Sequence, residues 1–539
     1  MLKKFKSYIS FLKHRKKEEK EENKKERYVS EDYRIAKKID SNLCTLKQLL
    51  GNSSDMIFRE FNIGVEKQRK GLICFIDGLI SGEMVSEHIA KILSLNLHIT
   101  ENDESLLSQD IFDLIKKKVL NAVELKEVES FNEILDGILS GNGAVFIDGY
   151  RRVLIINVKG WEARGVEEAN TEATVRGSRE GFNETLRVNT ALVRRRIKSP
   201  NLVFESFRLG KETHTDVSIG YIRGVVNKNI VEEVKKRLNR IDTDSILESG
   251  YIEQFIEDHP FSFFATIGNS EKPDKVAAKL LEGRVAIFCD GTPFVLTVPY
   301  LFMETLQSAE DYYSRIYLSS LSRIFRFLSF LITVITPALY VALSTFHQEM
   351  IPAVLLITMA SAREGVPFPV FVEAMVMGLV FELLRESGVR MPRPIGQAVS
   401  IVGGLVIGES AVRAGLVGAP IVVITALTGI TSFVVPSLLD SVIFFRLFLI
   451  VLAGAFGLYG IGIGAIVMLA HMCSLRSFGV PYLAPLAPTI WKDLRDFLIR
   501  APLWLMKSKP KTVTWKSYKI RYLKLLSKKF KDDNRGEEV

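Results

Sequence analysis

Residues 321–476 are largely Leu, Ile, Val, Phe, Ala and Gly, a run too long and too apolar for the interior of a soluble domain. It is expected to fold as several membrane-spanning helices, each needing about 20 apolar residues. The apolar stretches are 327–346, with Pro337 as a kink, 366–388, 395–412, 416–436, 441–457 and 459–475. The segment 350–362 is too short to cross easily and is expected to re-enter or to lie at the interface. Basic residues cluster before the first stretch (Arg323, Arg326), from Arg385 to Arg393, and after the last stretch. Placing those clusters on the cytoplasmic side puts both termini inside and makes the span count even. Six spans are expected, and four is the alternative.

Charge inside this block is the feature that calls for a function. Val380 to Gly415 reads VFELLRESGVRMPRPIGQAVSIVGGLVIGESAVRAG and carries Glu382, Arg385, Glu386, Arg390, Arg393, Glu409 and Arg413. Glu382, Arg385 and Glu386 share one helical face, with Glu373 about half a turn away. Glu409 and Arg413 stand four apart, in the orientation that favours an ion pair. Ionisable groups at membrane depth are candidate functional sites by default. One reading makes Glu409–Arg413 a packing pair and lets Arg446 snorkel to an interface. The other makes Glu373, Glu382, Glu386 and Glu409 line a polar route for cations, as carboxylate rings in an oligomer would. On the sequence these four carboxylates face two span-depth arginines, Arg385 and Arg413. Gly404 and Gly408 form a G-x-x-x-G, as do Gly460 and Gly464, with Gly457 nearby; such spacing lets helices touch closely.

Ahead of this block, residues 41–315 are expected to be soluble and α+β, divided into subdomains 41–162 and 163–315. Three apolar runs are each broken by Asp-Gly: ICFIDGLI (73–80), AVFIDGYRRVLII (144–156) and VAIFCDGTPFVLTV (285–298). Asp and Gly tolerate the backbone of tight turns, so Asp77-Gly78, Asp148-Gly149 and Asp290-Gly291 are expected to join strands. Helical patterns lie between them at 131–141 and 230–241. The charged stretch 167–202 contains VRGSREG, where Arg176, Gly177, Arg179 and Gly181 are expected to form an interface or gating loop. Thr190–Ile197 is expected to be a short helix ending in three arginines. Cys74 and Cys289 sit in strand-like runs and are expected to fill the core.

Both ends are basic. Residues 1–40 carry net +6 and residues 501–539 net +7, so the chain total of +9 leaves the middle at −4. In a chain with membrane spans this points to retention beside anionic lipid rather than to nucleic acid. Residues 1–40 are expected to be a charged tail, 316–480 the all-α polytopic membrane domain, and 481–539 a second basic tail, whose Trp491, Trp504 and Trp515 suit an interface. No nucleophile elbow, metal-spaced His/Cys set or nucleotide loop is present, so no enzyme, metal or cofactor is expected. His347 and His471 stand alone.

LLEGRVAIFCDGTPFVLTVPYLFMETLQSAEDYYSR (280–315) and the run from Pro367 to Ile430 closely resemble the A subunits of spore germinant receptors, the GerA type. VRGSREGFNETLRVNTALVRRRIKSP (175–200) and EKPDKVAAKLLEGRVAI (271–287) add to the resemblance, which covers roughly residues 45–490. Ser178 and Ala169 replace prolines usual in that family. A paralogous branch, the stage V sporulation AF type, is similar too. The resemblance implies a multi-pass protein of the endospore inner membrane with both termini on the core side. It implies a transporter-like B subunit and a lipoprotein C subunit as partners. It further implies a homo-oligomer, a pentameric ring, that forms a germinant-gated pore for monovalent cations. The alternative is a non-conducting scaffold that passes the signal on.

Overall fold

Two five-stranded antiparallel sheets carry the first half of the chain, and they share one strand order. In the computed structural model, residues 34–50, 53–63, 69–86, 112, 125–160, 172, 174, 176–390, 408–491, 493–506 and 509–514 are described. The first subdomain runs α1 (Ile39–Leu50), β1 (Met56–Ile63), β2 (Arg69–Ile76), β3 (Leu125–Val128), α2 (Phe131–Leu139), β4 (Gly143–Ile147) and β5 (Val153–Ile156). The second runs α3 (Leu186–Arg196), β6 (Leu202–Leu209), β7 (Thr215–Ile222), α4 (Lys228–Leu238), α5 (Ser249–Ile256), β8 (Gly268–Ser270), α6 (Pro273–Glu282), β9 (Val285–Cys289) and β10 (Val295–Val298). The sheets are ordered β1-β2-β4-β5-β3 and β6-β7-β9-β10-β8, which is the same topology twice.

The central strands read as unbroken apolar runs because both faces are covered. Leu72, Cys74 and Ile76 meet α1 and α2, while Ile73 and Phe75 pack on the opposite face with Val85 and Phe112. In the second sheet Val285, Ile287 and Cys289 face α4 and α5, and Ala286 and Phe288 face α3 and α6. This is the period of two expected of a strand.

Two Asp-Gly turns join adjacent strands, β4 to β5 and β9 to β10, and both do a second job that local sequence does not reveal. Asp148 Oδ1 accepts from Ile39 N (3.2 Å) and Asp290 Oδ1 accepts from Leu186 N (2.9 Å), so each caps the leading helix of its own subdomain. Gly149 N donates to Lys37 O and Gly291 N to Glu184 O, the carbonyl two residues before each helix. Gly149 and Gly291 have φ of 93° and 86°, which a side chain would strain. The third turn corrects the expectation. Asp77-Gly78 follows β2, but β2 pairs with β1 and β4, and Asp77-Gly78 leads out of the sheet to a bridge between Ile80 and Lys159. Its counterpart in the second subdomain is Arg223-Gly224: Asp77 N donates to Asp55 O and Arg223 N to Asn201 O, each acceptor standing just before a first strand.

The subdomains meet at a buried guanidinium. Arg194 donates through Nε to Asp55 Oδ2 and through Nη2 to Asp55 Oδ1, both at 2.9 Å, and through Nη1 to Leu202 O at 2.8 Å. Both side chains are 2% exposed.

A neck of two single-turn helices, Phe302–Thr305 and Glu310–Tyr313, leads into a mainly helical second half, whose last long helix is followed by a short antiparallel pair, Arg476–Ser477 with Val480–Pro481. It comprises α7 (Ile316–Thr345), α8 (Ala353–Ser361), α9 (Val370–Arg390), α10 (Gly408–Arg413), α11 (Ala419–Ser432) and α12 (Leu439–Ser474). Among the described residues two stretches, Ile316–Thr345 and Pro436–Ser474, are long and apolar enough to cross a membrane. The second bends at Gly457, where φ is 60°, and continues as two limbs. A Cβ on Gly460 would fall on the Leu452 carbonyl and one on Gly464 on the Leu449 side chain, so the limbs lie antiparallel as a helical hairpin. Eighteen residues make the first limb about 27 Å long. Phe371 packs beside Gly454 and Glu382 beside Arg446, so α9 is antiparallel to that limb. Gly418 lies beside Glu373 and Gly429 beside Phe381, so α11 is parallel to α9. Five of the six expected span segments are therefore helical. The sixth, 395–412, lies outside the described residues up to 407. Residues 1–33, Gly404 and Trp515 also lie outside them.

The Arg194 joint generates a prediction. Asp55→Ala leaves a guanidinium buried without its counter-charge, a change of about 3–5 kcal/mol. Thermal unfolding of the purified variant should show the soluble region melting well below its normal midpoint.

Candidate functional site

Each of the four carboxylates named from the sequence has an arginine partner. This corrects the count of two span-depth arginines. Glu373 is fully buried and accepts from Arg363 Nε (3.2 Å) and Nη2 (2.9 Å) and from Gly418 N (2.8 Å). It thereby ties the α8–α9 loop to the start of α11, at the end of the bundle far from the sheets. Glu382 lies between Arg385 (2.7 Å) and Arg446 of the first hairpin limb. Arg446 is 3% exposed, so it does not snorkel to an interface; it is sealed against α9. Glu386 pairs with Arg390 and Glu409 with Arg413, each at 2.6 Å.

These pairs divide into two kinds. Glu373 and Glu382 face inward, whereas Glu386 and Glu409 are each 55% exposed, with partners 78% exposed. The shared face expected for Glu382, Arg385 and Glu386 is thus split, because Glu382 and Arg385 turn toward Arg446 and Glu386 turns out. Two guanidiniums around one carboxylate give the Glu382 cluster a surplus of positive charge. A cation gains nothing there. The exposed pairs are the ones that neighbouring molecules or a water-filled route could reach, and exposed pairs of this kind hold each other only weakly.

Close helix contact rests on a partly different set of glycines from the one expected. Gly457, Gly460 and Gly464 form the hairpin turn and seam. A Cβ on Gly408 would meet Val422 at 3.4 Å, an ordinary contact. Gly454 and Gly429, not singled out from sequence, let Phe371 and Phe381 lie directly on the helix backbone. Gly454 lies in the glycine-dense run AGAFGLYGIGIG, which does not say which face each one takes, and Gly429 stands alone in ALTGITS with no such signal.

The VRGSREG loop lies against the neck. Gly177 has φ of 144° and a Cβ there would be 2.9 Å from the Tyr313 ring. Arg176 N donates to Glu310 Oε1 (3.2 Å), and the Tyr313 hydroxyl donates to Asp274 Oδ2 (2.8 Å). The Arg176 and Arg179 side chains are exposed and Gly181 is buried. The neck is also held from the opposite end of the chain. Arg323, fully buried, donates through Nε to Asp311 Oδ2 (2.9 Å) and through Nη1 to Asp496 Oδ1 (2.7 Å). Tyr312 donates to Asp496 Oδ2 (2.6 Å) and Arg500 Nη1 to Ser314 O (2.9 Å). Residues 494–501, within the region expected to be a tail, are thus a strap across the base of α7. Asp311, Asp496 and Arg363 escaped sequence reasoning, since nothing local marks a charged residue as the partner of one that only the fold brings close. Just above the neck, burial pushes the Lys279 ammonium down to about 8, against the pull of Glu304 3.3 Å away.

Residues 44–512 match the family described as Bacillus/Clostridium GerA spore germination protein. Spore germination protein KA of Bacillus subtilis (strain 168) is 44% identical over 489 residues, covering 90% of this chain and 88% of that protein. Spore germination protein GerLA of Bacillus cereus is 39% identical over 478 residues, covering 88% of this chain and 96% of that one. Among solved structures, the N-terminal domain of the A subunit of the Bacillus megaterium spore germinant receptor GerK3 is 36% identical. It covers 50% of this chain and 98% of that chain, with a TM-score of 0.40.

The hairpin seam gives a test by position. Gly460→Leu drives a side chain into the Leu452 carbonyl and should cost about 3 kcal/mol or more. Gly462→Leu enters open space. Membrane accumulation and trypsin resistance should collapse in the first variant and stay near wild type in the second.

Proposed function

The chain belongs to the Bacillus/Clostridium GerA spore germination protein family, and on that premise we propose that it is the A subunit of a nutrient germinant receptor that assembles into a cation-conducting ring. The ring spans the spore inner membrane with both termini on the core side, works with a transporter-like B subunit and a lipoprotein C subunit, and releases monovalent cations when a germinant binds. The observation that carries the assembly is α8. It is nine residues long and apolar except for Thr358 and Ser361, none of it is buried, and Val354 and Ile357 are 81% and 69% exposed. It is too short to span a bilayer alone. A neighbouring copy in the membrane would cover it. The exposed Glu386 and Glu409 would then be the carboxylates offered to passing cations, with Glu373 and Glu382 holding the helices in place.

A second reading has an observation of its own. Because all four carboxylates have arginine partners, the helices could serve as a non-conducting scaffold that clusters receptor proteins.

Spores carrying Glu409→Gln or Glu386→Gln separate the two. With chain levels matched by immunoblot, the pore reading expects cation release after germinant addition to slow in at least one variant. Release at the wild-type rate in both supports the scaffold.

A further inference from the structure

The loop between α5 and β8 spans the open end of the hairpin. Phe263 stacks flat on Phe444 of the first limb, centroids 3.5 Å apart and planes 11° from parallel. The Ser441 hydroxyl donates to Phe263 O. Phe264 packs on Phe445 at 5.3 Å. On the second limb, Ser262 Oγ and His471 Nε2 share a hydrogen bond of 3.1 Å. The loop is therefore fixed to the first two turns of one limb and the last turn of the other. In the middle of this anchored segment Phe261 is 96% exposed. A large apolar ring projects outward where neither sheet nor helix covers it.

Two positions before it in the same loop, His259 lines a recess of about 430 Å³ together with Asp258, Arg237 and Arg476. The acids there are already engaged: Arg237 binds Glu233 (2.9 Å) and Asp258 (2.6 Å) and lies over the Phe478 ring at 4.3 Å. Arg476 is exposed and makes no ion pair among the described residues. At the mouth of the recess the uncommitted charge is positive, and an apolar ring projects from the same loop.

We propose that this loop is a lipid-docking surface: Phe261 enters the boundary between headgroups and acyl chains, and Arg476, with His259, meets phospholipid phosphate. The inference rests on the reading that the α12 hairpin lies in a bilayer. A limb of about 27 Å nearly matches the hydrocarbon thickness, so its soluble-side end falls at headgroup level. An aromatic ring near an exposed arginine suits that layer, where apolar burial and attraction to anionic headgroups act together. The docking holds the second soluble subdomain at a set height over the membrane. Movement of the hairpin is then felt by the sheets through the same loop.

The test uses the full chain in nanodiscs. Trp161, Trp491, Trp504 and Trp515 are replaced by Phe, and one variant adds Phe261→Trp. Lipids brominated near the glycerol end of the acyl chain should quench the indole at position 261 more strongly than lipids brominated near the chain terminus. Arg476→Gln should abolish any increase in quenching when phosphatidylglycerol replaces phosphatidylcholine. An unquenched indole overturns the proposal, and an unquenched but blue-shifted one assigns the loop to a second copy of the chain. Ile466→Trp, on the second limb and 68% exposed, is the control. If it is quenched while position 261 is not, the docking idea alone fails; if neither is quenched, the membrane reading fails with it.

Discussion

A charge held away from water must have its opposite beside it, and the joints of this chain are built from that requirement. Arg194 and Asp55 lock the two soluble subdomains together. Arg323 gathers Asp311 from the neck and Asp496 from the C-terminal strap. Arg363 closes on Glu373 at the far end of the bundle, and Arg446 closes on Glu382 nearer the sheets. In each case the partners come from different elements. Ion pairs of this kind add little net stability over apolar packing, but they permit few alternative arrangements. They suit a protein whose parts must keep register while a signal passes between them.

The path such a signal would take is continuous. Among the described residues, the second soluble subdomain meets the neck through the VRGSREG loop and the hairpin mouth through the Phe263–Phe264 loop, and the Arg323 cluster ties the neck to the base of α7. The hairpin itself has little freedom, because Gly460 and Gly464 bring its limbs into backbone contact. The first subdomain repeats the topology of the second but touches it through Arg194, which places it farther along the same chain of contacts.

Much of this architecture was legible in the sequence, and the boundary between legible and hidden is physical. The division into an α+β half and an apolar helical half follows from hydropathy summed over long windows, which no single contact can reverse. Asp148-Gly149 and Asp290-Gly291 were readable as turns between strands because turn geometry is local. Asp77-Gly78 misled because a local signal says that the chain turns without saying which strand follows. The arginine partners were hidden for the converse reason. Arg446 is 64 residues from Glu382, and Asp496 sits in a segment whose composition announces only positive charge. Gly454 and Gly429 were passed over because a close approach is a property of two helices, not of one.

The central claim is that copies of this chain surround a cation route. Single-channel recording from the purified chain in planar bilayers, with its B and C partners and germinant added in turn, tests it most directly. The account predicts cation-selective currents whose conductance falls when Glu386 or Glu409 is neutralised. An intact oligomer that stays silent under every condition would contradict it, and the arginine-paired helices would then be a scaffold.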